Sequence, residues 1–324
     1  MEKLENKILD ISAKLGNEVH LSAIRNTFIS MLPIMIFGGL FAVIGSAPAT
    51  EDATGFMRVW ADFVASNSKI FSWISVLGLG FTTLYIVIGI TYNLCKSYKI
   101  EPLIPLFISC FGIFILNVNP EELVYGMSLA DLTYLDGKGI IIGLFVGIVT
   151  VDIYRVLKEK NFGKIKLPES VPPSLSETFS SLTIAVLIML LYLGIFAIFN
   201  AMGTTLAAWI GGLISPQVEA TDSLVFILIM TFIINGAWFF GIHNATFWGL
   251  MGPIMFMNLS TNAAQHASGL AATSILTESF WVYFVCIGGT GACLSIALLC
   301  CFSKSKTIKT VRANQCIAGI FWDK

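Results

Sequence analysis

Long apolar runs constrain this chain more than any other feature. They occupy residues 26–48, 71–94, 103–118, 139–154, 179–199, 224–241 and 280–302. A run of about twenty such residues is long enough to cross the ~30 Å hydrocarbon core of a bilayer as a helix. In lipid every backbone amide must be paired within the protein, so runs of this kind are helices. Barrel strands would show alternating apolar and polar residues in pieces of about ten, and that pattern is absent. Composition agrees: 56% of the 324 residues are hydrophobic and 12% are charged, about half the charged share of a soluble domain. The expected class is all-α, a polytopic transmembrane bundle with amphipathic interfacial helices and one broken or re-entrant segment.

Net charge is −1, so no basic field invites nucleic acid. The first twenty residues lack the layout of a cleaved signal peptide. Leu4, Ile8, Ile11 and Leu15 recur at helical spacing instead, which predicts an amphipathic helix on the membrane surface. Seven scattered cysteines show no C-x-x-C spacing, so neither a metal site nor a disulfide framework is expected. No cofactor is expected.

Basic residues set the orientation. Sixteen of the nineteen lysines and arginines fall in the N-terminal segment, the turn at 96–99, the stretch from Arg155 to Lys166 and the tail from Lys304. The remaining connections are mostly acidic, with Glu51, Asp52, Glu121, Glu122, Asp131 and Asp136 among them. The positive-inside rule then places the N-terminus in the cytoplasm. With seven spans, the chain between residues 241 and 280 must cross once more. It would do so through a piece interrupted by Gly249, Gly252 and Pro253. Short hydrophobic segments broken by Gly and Pro point to a carrier's binding site.

His243 sits where that piece begins, and an ionisable group at membrane depth marks a pathway or a site by default. Imidazole both donates and accepts hydrogen bonds, which suits a sugar hydroxyl. Asn235, Trp238 and Asn244 lie close in sequence. Trp238, Trp248 and Trp281 can stack on sugar faces, or can serve as an interfacial aromatic belt. A second glycine cluster, Gly288, Gly289 and Gly291 with Thr290, admits close backbone approach by a ligand or a neighbouring helix. His266 reads as solvated, Glu278 as a helix-start carboxylate and His20 as a surface residue. The basic, proline-rich stretch 155–178 reads as a linker ending in a cap at Ser176.

Four segments carry a family resemblance: LSAIRNTFISMLPIMIFGGL (21–40), LPESVPPSLSETFSSL (167–182), WFFGIHNA (238–245) and FVCIGGTGACLSIALLCCFSKSK (284–306). Together they resemble enzyme IIC, the membrane component of the sugar phosphotransferase system, of the lactose, cellobiose and diacetylchitobiose type. The resemblance implies a IIC-like domain over 8–324. Within it, 20–157 would form a dimerisation half, 158–178 an amphipathic linker and 179–324 a partial substrate-binding half. It implies a homodimer in the bacterial inner membrane that binds a β-linked disaccharide through His243. A partner, enzyme IIB carrying phosphocysteine, would phosphorylate the sugar, so no residue of IIC is catalytic alone. Asn244 stands where the family usually has glycine. The family also continues past a segment like KTVRANQCIAGIF into Asn-Ile-Asn-Glu-Pro, whose glutamate would hold the accepting hydroxyl. Here Phe321 is followed by Trp322, Asp323 and Lys324. The expected glutamate thus lies beyond Lys324, and the chain reads as C-terminally incomplete. Two rival readings follow: a non-transporting subunit that dimerises or docks a partner, and an ion-coupled transporter. Only Asp152, near a span end, offers the buried acid that the second would need.

Overall fold

The computed structural model describes residues 18–45, 54–117, 134–163, 173–239, 245–267 and 269–286. The described residues form helices and short connections, with no strand among them. In chain order the helices are α1 (Val19–Gly45), α2 (Phe56–Ser75), α3 (Thr82–Ser97), α4 (Leu103–Asn117), α5 (Ile140–Glu159), α6 (Pro173–Ala201), α7 (Leu206–Thr221), α8 (Leu224–Phe239) and α9 (Ala245–Ala267). A π-helical turn, Val76–Gly80, joins α2 to α3, and a short helical piece starts at Glu278 and continues as a π turn over Trp281–Val285. By length and apolarity, four described stretches can cross a membrane: Val19–Gly45, Phe56–Ser97, Gly137–Glu159 and Ser181–Ala201.

The chain divides into two compact units. The larger holds Ser22–Pro216 and Ser260–Ala272; the smaller holds Met1–Leu21, Gln217–Leu259 and Thr273–Lys324. In the larger unit, α3 and α5 pack side by side and run in the same direction. Gly143 lies against Thr83, Gly147 against Ile90, and the Arg155 guanidinium over the Tyr98 ring at 4.1 Å. Gly139, Gly143 and Gly147, spaced four apart, remove the side chains that would hold the two backbones apart. α4 returns antiparallel to α3, where Thr91 Oγ1 donates to Ser109 Oγ at 3.0 Å. α6 runs antiparallel to α5: Tyr154 OH donates to Ser181 Oγ at 2.8 Å, and Thr150 Oγ1 lies 2.6 Å from Tyr192 OH. Ile113, Leu116, Ile142, Val146, Ile188 and Tyr192 fill the space between these helices. The hydroxyls inside this core are thus paired, as burial requires. α1 joins through a second glycine contact, the backbones of Gly38 and Gly78 meeting with no room for a Cβ on either. Asn93 Nδ2 donates to Thr27 Oγ1 at 3.1 Å from the facing helix.

Four helices end in the same way. In α3, Ile100 N–H donates to Cys95 O and Lys99 N–H to Lys96 O; α5, α6 and α9 repeat the pattern at Asn161, Gly203 and Gly269. All four of these residues have positive φ. This pair of bonds satisfies carbonyls left over at a helix C-terminus and needs a left-handed residue, usually glycine. Lys99 and Asn161 fill that place without being glycine. The ends of α3 and α5 therefore share one face of the unit, and Lys96, Lys99, Arg155 and Lys158 gather there.

The structure departs from the sequence reading at several elements. α2 and α7 are helices where no span was expected. α2 carries Arg58, Asp62 and Lys69, which interrupt its hydropathy, and α7 has 16 residues. Adding two helices leaves the parity of the span count unchanged, but the expected broken piece is not seen among the described residues. That region holds α9, a 23-residue helix continuous through Pro253. An internal proline removes one hydrogen bond without having to end a helix in a packed bundle. α6 begins at Pro173, so Ser176 lies inside the helix rather than capping it. Proline suits the first helical position, where its missing N–H costs nothing. His20 is half-buried, its Nδ1 2.8 Å from Glu18 Oε1. Glu18 also accepts from Leu21 N–H at 2.6 Å and so caps α1. Burial opposes the charge on Glu18, but these bonds hold its carboxyl below the usual range.

Candidate functional site

The candidate site belongs to the smaller unit and is built from three pieces. Ser223 caps α8 by accepting from Phe226 N–H at 3.3 Å. α8 then buries Ile227 and Ile234 against Met251 and Met255 of α9. Residues 273–277 form the third piece, a non-helical strap leading into the helical turn at Glu278. Thr277 Oγ1 accepts from Phe280 N–H at 3.1 Å and starts that turn. Leu276 and Trp281 are thereby buried in the same cluster.

Between these pieces lies a small, half-open hollow of about 10 Å³, lined by Ile234, Phe247, Trp248, Met251, Met255 and Trp281. Every lining side chain is apolar or aromatic, and two are indoles. None titrates, so the hollow presents an apolar, aromatic surface and performs no acid–base step. Trp281 is 4% exposed. Glu278, one turn before it, is half-buried, and burial raises its carboxyl above the usual range. Two methionines give the lining an adaptable surface.

Of the residues singled out from sequence, Trp248 and Trp281 are brought together here. Asn235 is half-buried on α8, next to the lining residue Ile234. Trp238 lies in the last turn of the same helix. His243, Asn244, Gly288, Gly289 and Gly291 lie outside the described residues. His266 is exposed near the end of α9. Sequence reasoning missed Met251 and Met255. Their spacing from Trp248, three and then four residues, marks one helical face and was the available signal. It also missed Asp222 and Asn258, for which the sequence shows no pattern.

The sequence model of the family described as Phosphotransferase system, EIIC matches residues 25–321. The chain belongs to this family. It is therefore an integral membrane protein, and EIIC components of this system work with a IIB partner. The EIIC chain is 28% identical, over 99% of its length, to the PTS system oligo-beta-mannoside-specific EIIC component of Bacillus subtilis (strain 168), of which it covers 73%. It is 26% identical over 98% of its length to the cellobiose-specific EIIC component of Geobacillus stearothermophilus, again covering 73%. With the lactose-specific EIICB component of Lacticaseibacillus casei it shares 28% identity over 96% of its length. It spans about half of that relative, 53%. Its fold is that of the transporter ChbC, the IIC component from the N,N'-diacetylchitobiose-specific phosphotransferase system. The TM-score is 0.81 at 23% identity, over 98% of this chain and 76% of ChbC.

Proposed function

We propose that this EIIC chain binds a β-linked disaccharide, of the cellobiose, lactose or diacetylchitobiose class, and carries it across the bacterial cell membrane for phosphorylation by phospho-IIB. The observation that carries this reading is the EIIC match over 25–321, held jointly with relatives named for oligo-β-mannoside, cellobiose and lactose. Trp248 and Trp281 add side chains of the kind that stack against sugar C–H faces. His243 would then hold a sugar hydroxyl, helped by Asn235, Trp238 and Asn244. Gly288, Gly289 and Gly291 would let the ligand approach the backbone. The phosphoryl group comes from the partner, so the membrane protein contributes position and orientation. In this reading residues 20–157 supply the dimer contact and 158–178 link them to a binding half from 179 onward. The N-terminus is cytoplasmic.

Equilibrium binding of labelled cellobiose, lactose and diacetylchitobiose to the purified protein tests the reading, with α-linked maltose as the control. We expect saturable binding of at least one β-linked sugar and none of maltose. Trp248→Ala should raise Kd roughly 3- to 10-fold, the worth of one aromatic contact, and His243→Ala by at least that much. Equal binding of maltose, or unchanged affinity in both variants, would sink it.

A further inference from the structure

The strap at 273–277 has no helix or strand to satisfy its backbone, yet it ends deep in the smaller unit, with Leu276 fully buried. Thr277 N–H donates to Ile275 O at 2.7 Å within the strap, and two side chains from other elements take up the polar groups of Ile275 N–H and Leu276. The carboxylate of Asp222, at the turn before α8, accepts from Ile275 N–H with both oxygens at 2.8 Å. It also accepts from Leu276 N–H at 2.5 Å. Asn258 Nδ2, on α9, donates to Leu276 O at 2.9 Å. Leu276 is therefore gripped on its N–H side from the α8 end and on its carbonyl side from α9. The next residue, Thr277, starts the turn that carries Trp281 into the hollow. The backbone N–H of Trp281 donates to Thr277 O at 3.0 Å, so the turn that carries the ring is tied to the strap.

We propose that Asp222 is a positioning residue for ligand binding: with Asn258 it clamps residues 275–276 and thereby holds Trp281 against Trp248 across the hollow. This rests on reading the hollow as the sugar site. An ionised carboxylate suits the role because it is acceptor-only and can meet two successive N–H groups. An apolar residue at 222 would leave the buried Leu276 N–H without an acceptor. The strap would then shift, and the indole with it. The effect on ligand acts through Trp281, since Asp222 does not itself line the hollow.

The test uses the full chain, labelled with 5-fluorotryptophan, in detergent or nanodiscs. The Trp281 resonance is assigned by its loss in Trp281→Phe. Asp222→Ala should move that resonance and leave those of Trp60 and Trp209, in the larger unit, in place. It should also weaken binding of the labelled β-disaccharide about tenfold, and Asp222→Glu should restore part of the affinity. If Asp222→Ala does not fold, Asp222→Asn keeps one acceptor oxygen and should give a smaller shift in the same direction. A folded variant whose Trp281 resonance and sugar affinity both stay at wild-type values overturns the proposal. Wild-type protein that binds no β-disaccharide would count against the sugar reading alone. The Trp281 resonance would still decide whether Asp222 holds the strap.

Discussion

At the scale of single residues, the polar groups in this apolar chain divide into satisfied and costly ones. Tyr192 belongs to the first kind: its hydroxyl pairs with Thr150 at 2.6 Å and donates to Val146 O at 3.1 Å, with the side chain fully buried. Tyr192→Phe leaves the Thr150 hydroxyl poorer by one partner. We expect a loss of about 1–2 kcal/mol, read as a lower thermal midpoint in detergent. Glu278 belongs to the second kind. Burial disfavours its charged form and raises its folded-state value above the ordinary carboxylate one. A raised acid favours the folded state at pH below its unfolded value, and that contribution is lost as pH rises through the folded value. Glu278→Gln should therefore raise the midpoint at neutral pH and flatten its fall across the carboxylate range. An unchanged pH profile would mean the carboxyl is fully solvated. Neither residue was legible as such. Sequence shows that a tyrosine or a glutamate is present in an apolar run, while its partners come from helices tens of residues away.

At the scale of elements, periodicity and length served well wherever hydropathy was unbroken. α1, α4, α5, α6 and α8 fall close to the apolar runs that predicted them, because twenty unbroken apolar residues leave the backbone few alternatives. The misses have stated causes. Charges at Arg58, Asp62 and Lys69 hid α2, and Pro253 suggested a break where the helix continues. The candidate site was half legible. Trp248 and Trp281 were named as platforms, but their meeting depends on the strap at 273–277, which has no periodicity to read. The shared form of the helix ends invites a test. Lys99 occupies a left-handed conformation, φ 56°, that costs an L-residue roughly 1–2 kcal/mol. Lys99→Gly should stabilise the protein by about 1 kcal/mol, seen as a raised thermal midpoint. The Gly147 contact should behave in the opposite sense. A Cβ there would meet Ile90 Cγ2 at 2.7 Å, and Gly147→Val should cost about 1–3 kcal/mol by overpacking.

At the scale of the molecule, the charges at the helix ends bear on topology. Lys96, Lys99, Arg155 and Lys158 collect at one face of the larger unit because α3 and α5 run the same way. By the positive-inside rule we expect this face in the cytoplasm. Single cysteines introduced at Lys99 and Phe162, in a background lacking the native ones, should react with an impermeant maleimide only in inside-out vesicles. Labelling from the outside would reverse the orientation. The clustering of cations was visible in the sequence; their meeting on one face required the parallel packing of two helices.

That parallel pairing also bears on how the protein is made. Thr83 leaves the ribosome about sixty residues before Gly143, the position it packs against, and such distant pairings form late. In the interval α3 meets α1 through Asn93 and Thr27 and α4 through Thr91 and Ser109, but its Thr83 face, buried in the finished fold, stays uncovered. Biogenesis therefore contains a stage at which one face of an inserted helix depends on its surroundings, and the arrival of α5 ends it.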